Sequence, residues 1–328
     1  MISNLNIIFW GTPEFSAIIL EKLLQTGFCP SLIITAPDKP KGRDHILLAS
    51  PVKNIALQHK IPYLQPEKIK ENKKLENEIA AFGPDLFIVA AYGLIIPSQL
   101  LDLTKHGAIN VHPSLLPKYR GPSPIQTALL NGDELTSVTL ILMTEKMDAG
   151  PIIANQKFEI SAYGGSTEGG KNQNYLELSD ELANLGADLL IKNLPLWLAG
   201  KTEPVLQDET KATYTKIIKK EDGLIDFNKT AEEIERQTRA FYPWPGCFFK
   251  MPHKNKGDKI LKILEAEVLS TGQNKKTGLI SEREKEPVIS CLKDSLILKK
   301  VQLEGKKVTE GKDFLNGYRE LIGQVVKG

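Results

Sequence analysis

"LNIIFWGTPEFSAIILEKLLQTG", residues 5–27, joins an unbroken apolar run to a second pattern of different period. Residues 5–10 show no polar alternation, as in a strand buried on both faces. From Phe15 onward the apolar residues recur at helical spacing until Gly27 closes the segment. The corner between them reads as a tight strand-to-helix turn, with Thr12 capping and Pro13 at the first helical position. A dinucleotide fingerprint would need glycines where Pro13 and Glu14 stand, and Glu14 would repel phosphate at a helix start. No nucleotide cofactor is expected here.

The alternation continues along the chain. "SLIITA" (31–36), "DLFIVAA" (85–91), "GAINVH" (107–112) and "SVTLILM" (137–143) read as strands. Helices are expected from Ser50, a cap followed by Pro51, and over 66–83 and 123–132. Such an order specifies a doubly wound, mostly parallel α/β sheet, whose ligands lie beyond the carboxyl ends of its strands. Periodicity then fades, so residues 193–208 read as a linker after a first domain of residues 1–192. Residues 209–328 show one short helix ending before "YPWPG", then short apolar runs between turns, the pattern of a small β-barrel or sandwich. "YGGSTEGGKNQN" (163–174) reads as a loop.

Composition narrows the function classes. With 41% apolar and 25% charged residues the chain is an ordinary folded one. No apolar run approaches the ~20 residues of a membrane span, and "MISNLNIIFWG" lacks the features of a secretory signal. Cys29, Cys247 and Cys291 form no CxxC pair, which argues against a disulfide framework or a metal site. A cytoplasmic protein with no membrane partner is expected. The net charge of +2 is uneven: residues 1–208 carry 18 Lys and Arg against 22 Asp and Glu, and residues 209–328 carry 24 against 18. A basic second part suits a polyanion, although scattered surface lysine also serves solubility.

The chemistry concentrates in "INVHPSLLPKYRG" (109–121). Residues two apart on a strand share a face, so Asn110 and His112 point the same way, at a strand end frozen by Pro113. An amide beside an imidazole can hold an oxyanion and move a proton, whereas a lone histidine is more commonly a satisfied core residue. Asp148, in "TEKMDAGPII", reads either as a turn aspartate or as a carboxylate that orients His112. The loop 37–51 carries Lys39, Lys41 and Arg43, followed by Ile46, Leu47 and Leu48. It suits a solvated turn with an apolar foot on the core as well as a clamp on a nucleic-acid end.

Asn-x-His followed by Ser-Leu-Leu-Pro resembles the folate-dependent formyltransferases. "IIFWGTPEFSAIILEKLL", "DKPKGR", "VAAYGLIIP", "GAINVHPSLLPKYRGPSPIQTALLNGD", "MDAGPII", "QDETKATY", "RAFYPWPG" and "FLNGYRE" are similar, almost end to end, to the members acting on methionyl-tRNA. The resemblance implies a Rossmann-like first domain and an OB-fold-like C-terminal barrel. It implies transfer of formyl from 10-formyltetrahydrofolate, with no metal, to the α-amine of methionyl initiator tRNA, by a monomer. It assigns catalysis to Asn110, His112 and Asp148, with the first two donating to the oxyanion and Asp148 holding the imidazole or taking the amine proton. Folate would meet Ser114, Leu115, Leu116 and Pro117, with Tyr92, Gly93, Leu94 and Ile95 lining the pterin pocket. Lys39, Lys41 and Arg43 would meet the tRNA acceptor stem. A purine-pathway formyltransferase, a formylfolate hydrolase and a noncatalytic nucleic-acid-binding module are the competing readings.

Overall fold

A computed structural model describes residues 5–41, 46–160, 172–252, 257–274 and 276–327. In chain order the elements are β1 (Ile7–Gly11), α1 (Glu14–Gln25), β2 (Leu32–Ile34), β3 (Lys39–Lys41), β4 (Ile46–Leu48), α2 (Pro51–Gln58), β5 (Tyr63–Leu64), α3 (Lys73–Ala81), β6 (Leu86–Ala90), α4 (Ser98–Leu101), β7 (Ala108–His112), α5 (Pro124–Asn131), β8 (Leu135–Leu142), β9 (Ile152–Glu159) and α6 (Tyr175–Leu198). After these come α7 (Ala231–Ala240), β10 (Cys247–Met251), β11 (Lys259–Gln273), β12 (Ile280–Arg283), β13 (Glu286–Ser290), β14 (Lys293–Leu303), β15 (Val308–Glu310) and α8 (Gly311–Gly317). The chain forms two compact units. One holds Met1–Pro124, Leu135–Ile160 and Leu178–Lys216, and the other Ile125–Glu134, Ser161–Glu177 and Ile217–Gly328.

In the first unit, among the described residues, seven strands form one sheet in the order β5-β2-β1-β6-β7-β8-β9. Neighbours from β5 to β7 pair in parallel, while β8 and β9 run antiparallel to theirs. β1, β6 and β7 are buried along their whole length, as the apolar runs of β1 and β6 require, and β7 buries Asn110 and His112 with its apolar residues. On one face Ile8, Trp10, Ile34, Phe87 and Val89 pack with Leu75 and Ile79 of α3. On the other face α6 crosses at Gly186, where a Cβ would come within 2.7 Å of Val111 Cγ1. Chain order reverses direction between β1 and β6, which opens the crevice where ligands of such sheets bind.

Several local readings change. Pro13, not Thr12, occupies the N-cap of α1, and no side chain caps it. The Thr12 hydroxyl instead donates to Tyr92 O at 3.3 Å and accepts from Ala36 N–H at 3.3 Å, tying the exits of β1, β2 and β6. Ser50 does cap α2, accepting from Lys53 N–H at 3.0 Å. The helix expected over 66–83 begins only at Lys73, because Glu71 adopts a φ of +58° and Asn72 caps Leu75 N–H. The loop 37–49 contains the hairpin β3–β4, in which Lys39 faces Leu48 and Pro40 faces Leu47. Residues 193–198, read as linker, continue α6 through Pro195. Buried Leu189, Leu190 and Leu194 hold that helix together against the cost of the proline.

In the second unit the antiparallel order is β10-β11-β14-β13-β12, with β15 paired to β14. α7 starts with a reciprocal cap between Thr230 and Glu233. The long β11 changes register against β14 at several points, which bends it. The C-terminal tail bridges Lys250 of β10 through Lys327 and Leu279, next to β12, through Val325. Both ends of the sheet therefore meet one segment, and the sheet closes as a small barrel must.

Candidate active site

β7 delivers Asn110 and His112 to one face at its carboxyl end, buried at 8% and 5% exposure. Asp148 lies after β8, 38 residues beyond Asn110, yet the three side chains meet. Asn110 Nδ2 donates to Asp148 Oδ1 at 3.2 Å, and His112 Nδ1 stands 3.7 Å from the same oxygen. The other carboxylate oxygen, Oδ2, accepts Gly121 N–H at 2.7 Å. His112 Nε2 lies 3.0 Å from the Tyr119 carbonyl oxygen. A carbonyl only accepts, so Nε2 carries a hydrogen, and the other ring nitrogen, Nδ1, is the one that faces Asp148.

Asp148 itself takes a φ of +51°, a left-handed conformation uncommon outside glycine. Two residues later Gly150 is required by space, since a Cβ there would fall 1.7 Å from Leu142 O. Sequence reasoning missed the residues that hold this turn. Gln207 Nε2 donates to Asp148 O at 2.8 Å and to Gly150 O at 2.7 Å. The fully buried Arg120 in turn donates to Gln207 and Glu209. Arg120 was visible beside Tyr119 in "KYRG", but neither residue carries a periodic signal that would link it to position 207.

The other candidate residues are dispersed in role. Ser114 is buried, and its hydroxyl is spent on Lys118 O at 2.7 Å. Leu116 is buried, while Leu115 and Pro117 are half-buried. Tyr92 was expected to line a pocket, but its ring is in the core, edge-on to Trp10 at 5.1 Å, and burial pushes its phenol pKa up. Beyond it Gly93, Leu94 and Ile95 are exposed, Ile95 at 73%. These uncovered apolar side chains follow β6, the parallel neighbour of β7, and suit the flat face of a heteroaromatic ring. Among the basic candidates Lys39 is exposed, Lys41 lies on β3, and Arg43 falls outside the described residues. Leu47 and Leu48 are 66% and 47% exposed, so the apolar foot on the core is not formed by them. Among the described residues no cluster of three or more His, Cys, Asp or Glu is placed to hold a metal, and no helix is long and apolar enough to cross a membrane.

A strand-end Asn–His pair facing a distant aspartate can be compared with known proteins. The formyl transferase family model matches residues 4–184, and that of the formyl transferase C-terminal domain matches residues 217–319. Methionyl-tRNA formyltransferase of Bacillus subtilis (strain 168) is 38% identical over 322 residues, covering 98% of this chain and 97% of that one. The protein of the same description from Geobacter sulfurreducens is 37% identical over 318 residues, covering 97% and 95%. A crystal structure of an N-formyltransferase from Helicobacter canadensis, with folinic acid and dTDP-3-aminofucose, has a TM-score of 0.61 at 22% identity, a likeness of fold over 90% of this chain and 99% of that one. With both family regions matched in order and relatives aligned almost from end to end, the chain belongs to the formyl transferase family.

Proposed function

We propose that this protein transfers the formyl group of 10-formyltetrahydrofolate to the α-amine of methionyl initiator tRNA, as a monomer in the cytoplasm. The observation that carries the reading is that likeness to methionyl-tRNA formyltransferases extends through the second unit as well as the first. Residues 209–328, net basic, suit an acceptor that is a polyanion.

Formylfolate, when bound, supplies an electrophilic carbonyl carbon. The chain supplies the rest. Asn110 gives one amide hydrogen to Asp148 and directs the other at the oxygen on which negative charge develops. His112 is assigned the proton rather than the oxyanion in this reading, because its Nε2 lies 3.0 Å from the Tyr119 carbonyl oxygen. Its Nδ1 lone pair and Asp148 Oδ1 face each other 3.7 Å apart, and an N–H of the attacking amine is attracted to both. That pair takes the proton the amine nitrogen loses as its bond to the formyl carbon forms. The proton passes to the folate nitrogen as that nitrogen's bond to the formyl carbon breaks, leaving tetrahydrofolate and the formylated amine. Burial of Asn110 and His112, beside a partly buried Asp148, keeps these interactions strong by limiting water. Leu94 and Ile95, with half-buried Leu115 and Pro117, provide the apolar walls for the pterin. The β3–β4 hairpin, in which Lys39 pairs with exposed Leu48 and Leu47 is also exposed, meets the acceptor stem, where cations hold phosphate and apolar side chains stack on bases.

The test is formyl transfer by the purified protein, with 10-formyltetrahydrofolate as donor and charged initiator tRNA, glycinamide ribonucleotide or water as acceptor. Rapid formylation of the tRNA is expected. Transfer only to water or to the ribonucleotide would overturn the reading.

A further inference from the structure

The segment that follows α6 does not hang free between the two units. It runs back across the first unit and touches both stretches that hold Asp148. At one end Val205 and Ile152 exchange backbone hydrogen bonds at 2.8 Å, next to Gly150. At the other, Thr213 N–H donates to Pro117 O, Arg120 N–H to Thr213 O and Thr215 N–H to Arg120 O. Gly121 is needed for this approach, since its φ is +112° and a Cβ would lie 2.8 Å from Thr215 Oγ1. A strap over residues 205–215 therefore spans the turn carrying Asp148 and the turn whose Gly121 N–H holds Asp148 Oδ2.

The middle of the strap is a closed set of polar contacts. Arg120, with its side chain 1% exposed, has five N–H groups. Nε and Nη2 donate to Gln207 Oε1 at 3.1 and 2.9 Å. Nη1 and Nη2 grip both oxygens of Glu209 at 3.0 and 2.8 Å, and Nη1 also reaches Tyr214 OH at 3.2 Å. The guanidinium thus fixes which end of the Gln207 carboxamide is the oxygen. Both hydrogens of Nε2 must then point the other way, onto the carbonyls of Asp148 and Gly150. The first of those carbonyls belongs to the left-handed Asp148 itself and the second lies two residues on, so the contact pins the turn from Asp148 to Gly150.

From this geometry we infer that Gln207, oriented by Arg120, is a positioning residue that locks the Asp148 turn so that its carboxylate faces Asn110 and His112. The inference rests on the site proposed above. Gln207 touches no reacting atom. It acts through the backbone of Asp148, and Glu209 completes the charge balance of the buried guanidinium.

Two full-length variants test it. Gln207→Ala removes the contacts in both directions, whereas Gln207→Glu keeps the acceptor for Arg120 but puts oxygen against two carbonyl oxygens. Two readouts are used: exchange of the Gly121 amide, which reports whether Asp148 Oδ2 stays in place without any reaction, and kcat and KM in the transfer assay. Both variants should accelerate Gly121 exchange and lower kcat on the order of 10- to 100-fold, with KM for both substrates within about twofold. A Gln207→Glu variant with wild-type exchange and kcat would overturn the inference, as would a lowered melting temperature with kcat unchanged. If the wild type formylates no tRNA, the functional reading falls, while the Gly121 exchange of the two variants still decides the role of Gln207.

Discussion

Asp148 is held from three directions, by the Asn110 amide, the Gly121 N–H and, through its own carbonyl, Gln207, and it faces the His112 ring. Such a residue is pre-organised, and the chemistry at its carboxylate then needs little rearrangement. In the proposed reaction Asn110 makes a contact in the developing transition state that the ground state lacks. Asn110→Ala should therefore lower kcat about 10²–10³-fold while formylfolate binding changes far less. Single-turnover rates set beside equilibrium folate binding check this, and near-normal turnover would remove Asn110 from its role. His112→Ala should lose turnover in the same manner, with the loss smallest at high pH, where solvent takes the amine proton. At this scale the shared face of Asn110 and His112 was legible, because strand alternation is a local property. What His112 meets was not: its Nε2 faces the Tyr119 carbonyl, placed by the turn after Pro113.

At the scale of elements, β1, β6 and β7 are buried strands whose ends must be brought to one level for the site to form. Asp85, just before β6, does part of this: Oδ2 accepts Asn6 N–H at 2.9 Å and Oδ1 accepts Lys105 Nζ at 2.7 Å. The Lys105 hydrogen bond first, and the Asn6 N–H after it, hold this carboxyl below its ordinary pKa, against burial, which opposes. A lowered folded value means the contribution is complete above the unfolded pKa, near 4, and is lost as pH falls through the folded one. Asp85→Asn should destabilise the fold at pH 7 by on the order of 1 kcal/mol, with the difference from wild type shrinking below pH 4. Urea unfolding of both proteins at pH 7 and pH 3 measures it. An equal difference at the two pH values would refute the assignment. Sequence patterning found these strands and the Ser50 cap of α2, but it overran α3. Glu71 in a left-handed conformation interrupts a stretch whose composition alone is helical.

At the scale of the whole molecule, charge is divided between the parts. Residues 209–328 carry 24 Lys and Arg against 18 Asp and Glu, while residues 1–208 carry the opposite imbalance. A tRNA ligand held through phosphates must release counterions, so affinity should fall steeply as salt rises. Raising monovalent salt from about 50 to about 200 mM is expected to weaken tRNA binding by on the order of tenfold or more, with formylfolate binding altered much less. Fluorescence anisotropy with labelled initiator tRNA reads this directly. Salt-independent tRNA binding would exclude backbone contacts as its source.

By itself the sequence determined the doubly wound sheet, the barrel pattern of the second part and the pairing of Asn110 with His112. All three rest on periodicity, on the burial of apolar residues at spacings the backbone dictates. Tertiary structure alone decided what surrounds Asp148. Gln207 lies 59 residues from it and 87 from Arg120, and no period connects them. The segment read as a linker carries few apolar side chains inward, so it leaves no hydrophobic signature. It holds the site through hydrogen bonds to backbone carbonyls, whose partners are set only when distant turns are folded against each other.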